Sequence, residues 1–210
     1  MKATIVTRLR FCKQRVADLW RDSRGIAATE FAVIVPIMLV LFFGTVEFSQ
    51  AVAVDRKVTL ITRTLADLTS QAITADNTYM QNVFTASITI MTPYSPTPTR
   101  AQISEVYIDS NLNATVQWSQ GAVITSAASQ ATLAASSRNA GDNVTSIIPN
   151  ALLVRQTYLI LSEASYQYVP TVGYVMAPSG VNMRDIAYTR PRQKSCVTYN
   201  NLPAGNCPTP

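Results

Sequence analysis

Histidine is absent from the 210-residue sequence, and charged residues make up only 14% of it. Without histidine there is no Ser-His-Asp or Cys-His catalysis, no His-containing zinc site and no histidine pH switch. An average soluble protein has about 25% charged residues, so the low charge suggests that part of the chain is not in contact with water. Glycine is also scarce, with seven residues, and no Gly-rich phosphate-binding loop occurs. The length limits the chain to one or two modest domains.

The sequence has 17 Lys and Arg residues against 12 Asp and Glu residues, and the excess lies entirely at the N-terminus. Residues 1–24 contain seven basic and two acidic side chains, whereas the rest of the chain contains ten of each. The remaining part therefore has no basic excess to contact phosphates, which argues against a nucleic-acid partner. The basic residues instead come directly before an apolar segment.

Residues 25–46 form a 22-residue apolar run whose only charge is Glu30. As a helix this run would extend about 33 Å, enough to cross a hydrocarbon core of about 30 Å. By the positive-inside rule, the preceding basic residues place the N-terminus in the cytoplasm, so residues 47–210 are exported. The alternatives are a buried helix of a soluble domain, which would need a polar face, and a cleaved signal peptide, whose apolar region would be shorter.

Glu30 is the most informative residue of the run, because an ionised carboxylate costs about 2.5 to 3.5 kcal/mol at the centre of a bilayer. One interpretation is that Glu30 simply reaches water at the membrane interface. However, a basic leader, Gly25 and a glutamate at the fifth position of the following helix resemble the processing site of type IV prepilins. That resemblance implies cleavage after Gly25 by a membrane aspartyl peptidase. The new α-ammonium of Ile26 can then pair with Glu30 of a neighbouring subunit.

Further residues narrow the resemblance to one family. They are Gly25, Ala27, Ala28, Glu30, Phe31, Ala32, Pro36, Gly44, Glu47 and Phe48. This pattern closely resembles the N-terminal segment of TadE-like proteins, minor pseudopilins of the tight-adherence (Flp) pilus system. Phe31, Pro36, Gly44 and Glu47 are its membrane-helix positions, and Pro36 predicts a kink. Ile26, in place of the Phe or Met of type IV pilins, favours the Tad branch.

Beyond Glu47, apolar residues recur at spacings of three and four, which predicts an amphipathic helix. They are Phe48, Ala51, Val54, Val58, Ile61, Leu65, Leu68 and Ala72. A helix that leaves the membrane and lays one face on a globular head is the pilin-like arrangement. A juxtamembrane stalk or a dimerising coiled coil is the alternative. A second helix is predicted between Asp76 and Met91, with Met80, Val83, Phe84 and Ile88 on one face.

Strand patterns begin after a Pro-rich connection at residues 92–100. Residues 103–109 and 114–119 predict a hairpin with Val116 and Trp118 on one face. Three further segments have weaker patterns. They are residues 121–138, read as a helix or a polar loop; residues 152–169, read as one long strand or a bent pair; and residues 172–176, read as a short element.

The predicted fold class is α+β: an N-terminal transmembrane helix extends into a long amphipathic helix, followed by a small antiparallel β-rich, pilin-like periplasmic head. Six segments are predicted. They are a basic cytoplasmic leader (1–25), a transmembrane helix (26–46), a periplasmic helical segment (47–91), a Pro-rich connection (92–100), a β-rich periplasmic head (101–195) and a C-terminal loop (196–210).

Two of the three cysteines, Cys196 and Cys207, lie in the exported part. An oxidising periplasm would allow a disulfide between them, worth roughly 3 kcal/mol by chain entropy. Two free thiols in a loose tail are the alternative. The nearby basic residues form either a solvated tail or a docking site for an acidic partner or lipid headgroups. They are Arg184, Arg190, Arg192 and Lys194.

The exported carboxylates are scattered singly, without a pair suited to a metal or to glycoside hydrolysis. We therefore predict no enzyme activity, no catalytic residue, no metal and no cofactor. The TadE-like resemblance implies a pseudopilin of the bacterial inner membrane that acts in assembly of the tight-adherence, type IVc pilus. Its partners would be other pseudopilins, the assembly machinery and a prepilin peptidase. The alternative is an uncleaved single-pass membrane protein whose periplasmic domain binds a ligand or a partner.

Overall fold

The computed structural model describes residues 24–126, 130–170 and 179–202. The chain divides into two compact units between Val46 and Glu47. Helix α1, Arg24–Ser70, contributes to both units, whereas the strands all belong to the second. We call the described residues from Glu47 to Leu202 the head. The predicted α+β order, a long N-terminal apolar helix followed by an antiparallel sheet, is confirmed.

The part of α1 that belongs to the head buries most of the predicted apolar stripe. Val54, Val58, Ile61 and Leu65 are each at most 1% exposed. Phe48 departs from the prediction, because it is 66% exposed, and the neighbouring Glu47 is buried in its place. Each residue turns an α-helix by about 100°, so the 3–4 spacing that ends at Glu47 leaves Phe48 well off the stripe.

The second predicted helix is confirmed as α2, Asn77–Ile88, and a 3₁₀ turn, Thr89–Met91, follows it. A two-residue strand, β1 (Thr74–Ala75), separates α1 from α2. The carboxylate of Asp76 caps α2 by accepting a hydrogen bond from the backbone N–H of Tyr79 at 2.7 Å. The predicted apolar face is buried. Its residues are Met80, Val83, Phe84 and Ile88.

Five strands form the main sheet, in the order β4-β3-β2-β5-β6, and every neighbouring pair is antiparallel. The strands are β2 (Thr99–Ile108), β3 (Ala114–Val123), β4 (Thr132–Ala134), β5 (Thr157–Tyr168) and β6 (Val181–Thr189). A separate parallel pairing joins β1 to β7, Thr198–Tyr199. This pairing holds the last described strand beside the segment that follows α1.

The predicted β2–β3 hairpin is confirmed, but its side chains are arranged differently. The pairing shifts register between Glu105 and Val106, so Gln117 has no direct partner on β2. This β-bulge resets the alternation of side chains. Val116 consequently joins one apolar cluster and Trp118 joins another. The prediction that Val116 and Trp118 share a face is wrong, because strict alternation holds only in a strand without a bulge.

The sheet has an apolar cluster on each face. The first cluster packs against the helices and includes Ile103, Trp118 and Ile160. The second includes Val106, Val116, Leu159, Leu161 and, from the connection between β4 and β5, Val144 and Ile148. Ile160 alternates with Leu159 and Leu161 along β5, so the two clusters lie on opposite faces. The second cluster covers only the end of its face nearest the β2–β3 turn.

The remaining sequence predictions have mixed outcomes. Residues 152–169 contain a single strand, β5, which begins only at Thr157 and ends at Tyr168, and not a bent pair. No helix occurs in the described residues between 121 and 138. Strand β6 was not predicted, because its half-exposed side chains give little apolar alternation. The short element predicted at residues 172–176 lies outside the described residues.

Candidate membrane anchor and processing segment

The first unit presents apolar side chains on all sides of α1. The helix contains a stretch long and apolar enough to span a membrane, and none of that stretch is buried. Its large apolar side chains are exposed at positions that face every direction around the helix. They are Ile26, Phe31, Val33, Ile34, Ile37, Met38, Leu39, Val40, Leu41, Phe42, Phe43 and Val46. This exposure is typical of a membrane anchor and contradicts a buried helix of a soluble domain.

The predicted processing residues lie in the first turns of α1. Gly25 is in the helix, and a Cβ atom added to it would meet nothing within 4 Å. Ile26 is 61% exposed, and its carbonyl accepts a hydrogen bond from the Thr29 hydroxyl at 2.8 Å. Glu30 is exposed one turn after Ile26, on the same side of the helix. Among the described residues, no hydrogen bond or ion pair reaches the Glu30 carboxylate.

The other predicted anchor positions lie further along the same helix. Phe31 is 68% exposed, Pro36 is exposed and Gly44 is half-buried. Helix α1 continues through Pro36. The predicted kink at Pro36 stays a prediction.

A comparison with protein families bears directly on this helix. Residues 25–67 match the family model of TadE-like protein. The N-terminal helix is TadE-like. The resemblance seen in the sequence is thereby confirmed, and it associates the chain with the Tad pilus system. No curated protein and no solved structure matches the chain.

The TadE-like segment begins at Gly25 and ends at Asp67, so it covers most of α1 and none of the strands. It therefore includes both the exposed apolar part of the helix and the part built into the head. TadE-like proteins are not a known enzyme family. In the described ranges, no group of three His, Cys, Asp or Glu side chains is placed to hold a metal ion.

Glu47, the second glutamate of the TadE-like segment, is buried in the head. It is 2% exposed, and its Oε2 accepts a hydrogen bond from the Tyr168 hydroxyl at 2.9 Å. Burial, together with the hydrogen bond to the Glu47 carboxylate, raises the pKa of Tyr168 to about 12. The sequence signal for this burial was the 4, 3, 4 spacing of Glu47, Ala51, Val54 and Val58. Nothing in the sequence pointed to Tyr168 as the partner.

Outside the TadE-like segment, Glu105 on β2 is a fully buried carboxyl group. Its Oε1 accepts a hydrogen bond from the backbone N–H of Val197 at 2.6 Å, and its Oε2 accepts one from the Trp118 indole at 3.0 Å. Desolvation outweighs both hydrogen bonds and raises the pKa of Glu105 to about 8. Glu105 thus joins the sheet to the segment before β7. The sequence showed it only as one of several isolated carboxylates.

Cys196 lies beside this contact and is fully buried and disulfide-bonded. Its predicted partner, Cys207, lies outside the described residues. The pairing of Cys196 with Cys207 stays a prediction. The basic leader, residues 1–23, also lies outside the described residues.

Proposed function

We propose that this protein is a TadE-like pseudopilin that acts by packing, and not by catalysis, in assembly of the tight-adherence (Flp, type IVc) pilus. One observation carries the proposal: a TadE-like helix whose first half exposes apolar side chains in all directions and whose second half is built into a head. Such a helix can pack against lipid and against other apolar helices. The head is then available for contacts with assembly partners.

The proposed topology has the N-terminus in the cytoplasm, α1 in the inner membrane and the head in the periplasm. Seven basic and two acidic side chains precede Gly25, whereas the rest of the chain has equal numbers of each. This asymmetry supports an inside N-terminus. The disulfide at Cys196 suits an oxidising compartment such as the periplasm.

We also propose cleavage of the chain after Gly25. Gly25 has neither a positive φ nor a neighbouring atom that a Cβ would touch. The described fold therefore does not require glycine at this position. Recognition by a prepilin peptidase would require it.

Glu30 would then act between subunits. Cleavage leaves a positive α-ammonium on Ile26, and both this group and the Glu30 carboxylate are unfavourable in lipid. Pairing the ammonium of one subunit with the Glu30 carboxylate of the next would satisfy both charges with a charge-assisted hydrogen bond. The exposure of Ile26 and Glu30 on one side of α1 supports this pairing.

The cleavage proposal is tested by the intact mass of the protein purified from membranes of cells with and without the prepilin peptidase. We expect the mass of Met1–Gly25 to be missing only when the peptidase is present, and Gly25→Ala to retain the leader. Gly44→Ala, which changes a later glycine of the same helix, is the matched control and should be processed normally. A full-length mass in both strains would contradict cleavage and favour the uncleaved single-pass protein.

The role in pilus assembly is tested by Glu30→Gln, which removes the charge but keeps the shape. We expect this variant to be processed and to enter the membrane, but to lose most surface pili in a shearing and immunoblot assay. Asp55→Asn is the matched control, because Asp55 is an exposed acid further along α1. Normal piliation by Glu30→Gln would show that the proposed pairing is wrong.

A further inference from the structure

A cleft of about 380 Å³ lies on the face of the sheet opposite the helices. All five strands of the main sheet contribute to its lining. The cleft occupies the end of this face that the second apolar cluster leaves uncovered. Small residues, including Gly121 and Ala134, line it on the β3–β4 side.

The strand register places two arginines in one row across this cleft. Arg100 on β2 is paired with Ser165 on β5, and Ser165 is paired with Arg184 on β6. Residues directly opposite each other in antiparallel strands point to the same face. Neighbouring strands are about 4.8 Å apart, so the two arginine Cα atoms are about 10 Å apart. Only the small hydroxyl side chain of Ser165 stands between them.

The two acidic residues of the cleft form their hydrogen bonds with other side chains, although the charge of Arg184 also acts on Glu163. Glu163 forms a bidentate pair with Arg138, with an Nε–Oε2 distance of 2.6 Å and an Nη2–Oε1 distance of 2.7 Å. Asp185 follows Arg184 and therefore points to the other face, where it accepts a hydrogen bond from the Thr62 hydroxyl at 3.1 Å.

Arg100 and Arg184 are both exposed. In the part of the chain that the structure describes, neither guanidinium forms an ion pair or a hydrogen bond. The N–H donors of both guanidinium groups are therefore available to a ligand in the cleft.

We propose that Arg100, Ser165 and Arg184 bind a carboxylate side chain in an acidic peptide segment of a partner protein. A guanidinium group presents a planar fork of N–H donors that fits a carboxylate, and the row offers one from each side with a hydroxyl between. The exposed Ile186 and the small residues beside the row give an apolar floor that a peptide can cover and a free phosphate cannot.

The site is tested with the full-length protein in phosphatidylcholine nanodiscs, where no anionic headgroup competes. The probe is a fluorescein-labelled peptide of alternating Glu and Ile residues, followed by fluorescence anisotropy, with the corresponding Gln and Ile peptide as the neutral control. We expect the acidic peptide to bind, and the neutral peptide to bind at least about tenfold more weakly. Arg100→Gln and Arg184→Gln should each weaken binding of the acidic peptide by about tenfold, since each removes one charge-assisted contact.

Arg155→Gln is the matched control, because Arg155 is an exposed arginine that does not line the cleft. It should bind the acidic peptide as the unmodified protein does, and all variants should keep the same thermal unfolding midpoint. Equal losses in all three variants, or no loss in the two cleft variants, would overturn the proposal. Displacement of the peptide by inorganic phosphate at the same concentration would overturn the assignment to a carboxylate. These outcomes do not depend on cleavage after Gly25, so this proposal and the proposed function can fail separately.

Discussion

The two halves of α1 belong to one helix, but their large apolar side chains differ in exposure. In residues 25–46 large apolar side chains are exposed all round the helix. In residues 47–70 they form a stripe, and Val54, Ile61 and Leu65 are fully buried against the rest of the head. Lipid accepts an apolar side chain on any side of a helix, whereas a water-facing helix must reserve one side for the core. The comparison indicates that the environment of the helix changes near Val46.

The two glutamates of the TadE-like segment also differ in exposure, and they differ in whether their own chain supplies a hydrogen-bond donor. Glu47 is buried and has Tyr168 of its own head as a hydrogen-bond donor. Glu30 is exposed, and the described part of its own chain supplies no partner. A carboxylate in an apolar environment needs a partner. In our proposal, Glu30 finds its partner in a neighbouring subunit.

The largest expected difference between the two halves is in the stability of the head. Leu65→Ala removes a fully buried side chain and should lower the free energy of unfolding by about 2 to 5 kcal/mol. Leu39→Ala makes the same chemical change at an exposed position and should leave it unchanged. Chemical denaturation of the full-length protein in detergent, followed by tryptophan fluorescence, measures both. Equal losses would mean that the first half of α1 also packs against the folded chain.

Membrane insertion should be sensitive to a charge in the first half of α1 and insensitive to one in the second half. Ile37→Arg places a charge near the middle of the apolar run and should make insertion less favourable by about 3 kcal/mol. Leu60→Arg places the same charge on an exposed position in the head and should not affect insertion. Extraction of membranes with alkaline carbonate measures the inserted fraction. If Leu60→Arg is extracted as readily as Ile37→Arg, the span extends well beyond Val46.

The sequence predicts the helices well, because their signals are local. The 3–4 spacing from Ala51 to Leu65 and the apolar face from Met80 to Ile88 each involve residues within a few turns of one another. The same holds for the TadE-like pattern around Gly25 and Glu30, which the family match confirms. The β2–β3 hairpin was also predictable, since its two strands are joined by a short turn.

The features that the sequence did not predict depend on contacts between distant residues. The bulge at Gln117 exists only in the pairing of β2 with β3, and it reverses the face of Trp118. The row of Arg100, Ser165 and Arg184 arises from three strands that are far apart in the chain. No spacing within a single segment carries such information.

The head should lose stability as pH rises, because of Glu105. The pKa of its buried carboxyl is about 8, against 4.5 for an unperturbed glutamate, so the folded state holds a proton that the unfolded state releases. The stabilisation is therefore fully present below about pH 4.5 and is lost as pH rises towards 8, by about 1.4 kcal/mol per pH unit. Glu105→Gln should remove this slope in unfolding free energies measured at pH 5, 6, 7 and 8. An unchanged slope would show that another group is responsible.

The smallest expected effect concerns the partner of Glu47. Tyr168→Phe removes the hydroxyl that donates to the buried carboxylate and should lower the unfolding free energy by about 1 kcal/mol. Tyr107→Phe is the matched control, because the Tyr107 hydroxyl forms no hydrogen bond within the described residues. Glu30→Gln should likewise leave the unfolding free energy unchanged, since Glu30 is exposed and lies outside the head. If Tyr168→Phe left the unfolding free energy unchanged, as the two controls should, the burial of Glu47 would not depend on the Tyr168 hydroxyl. The two glutamates would then differ only in their exposure.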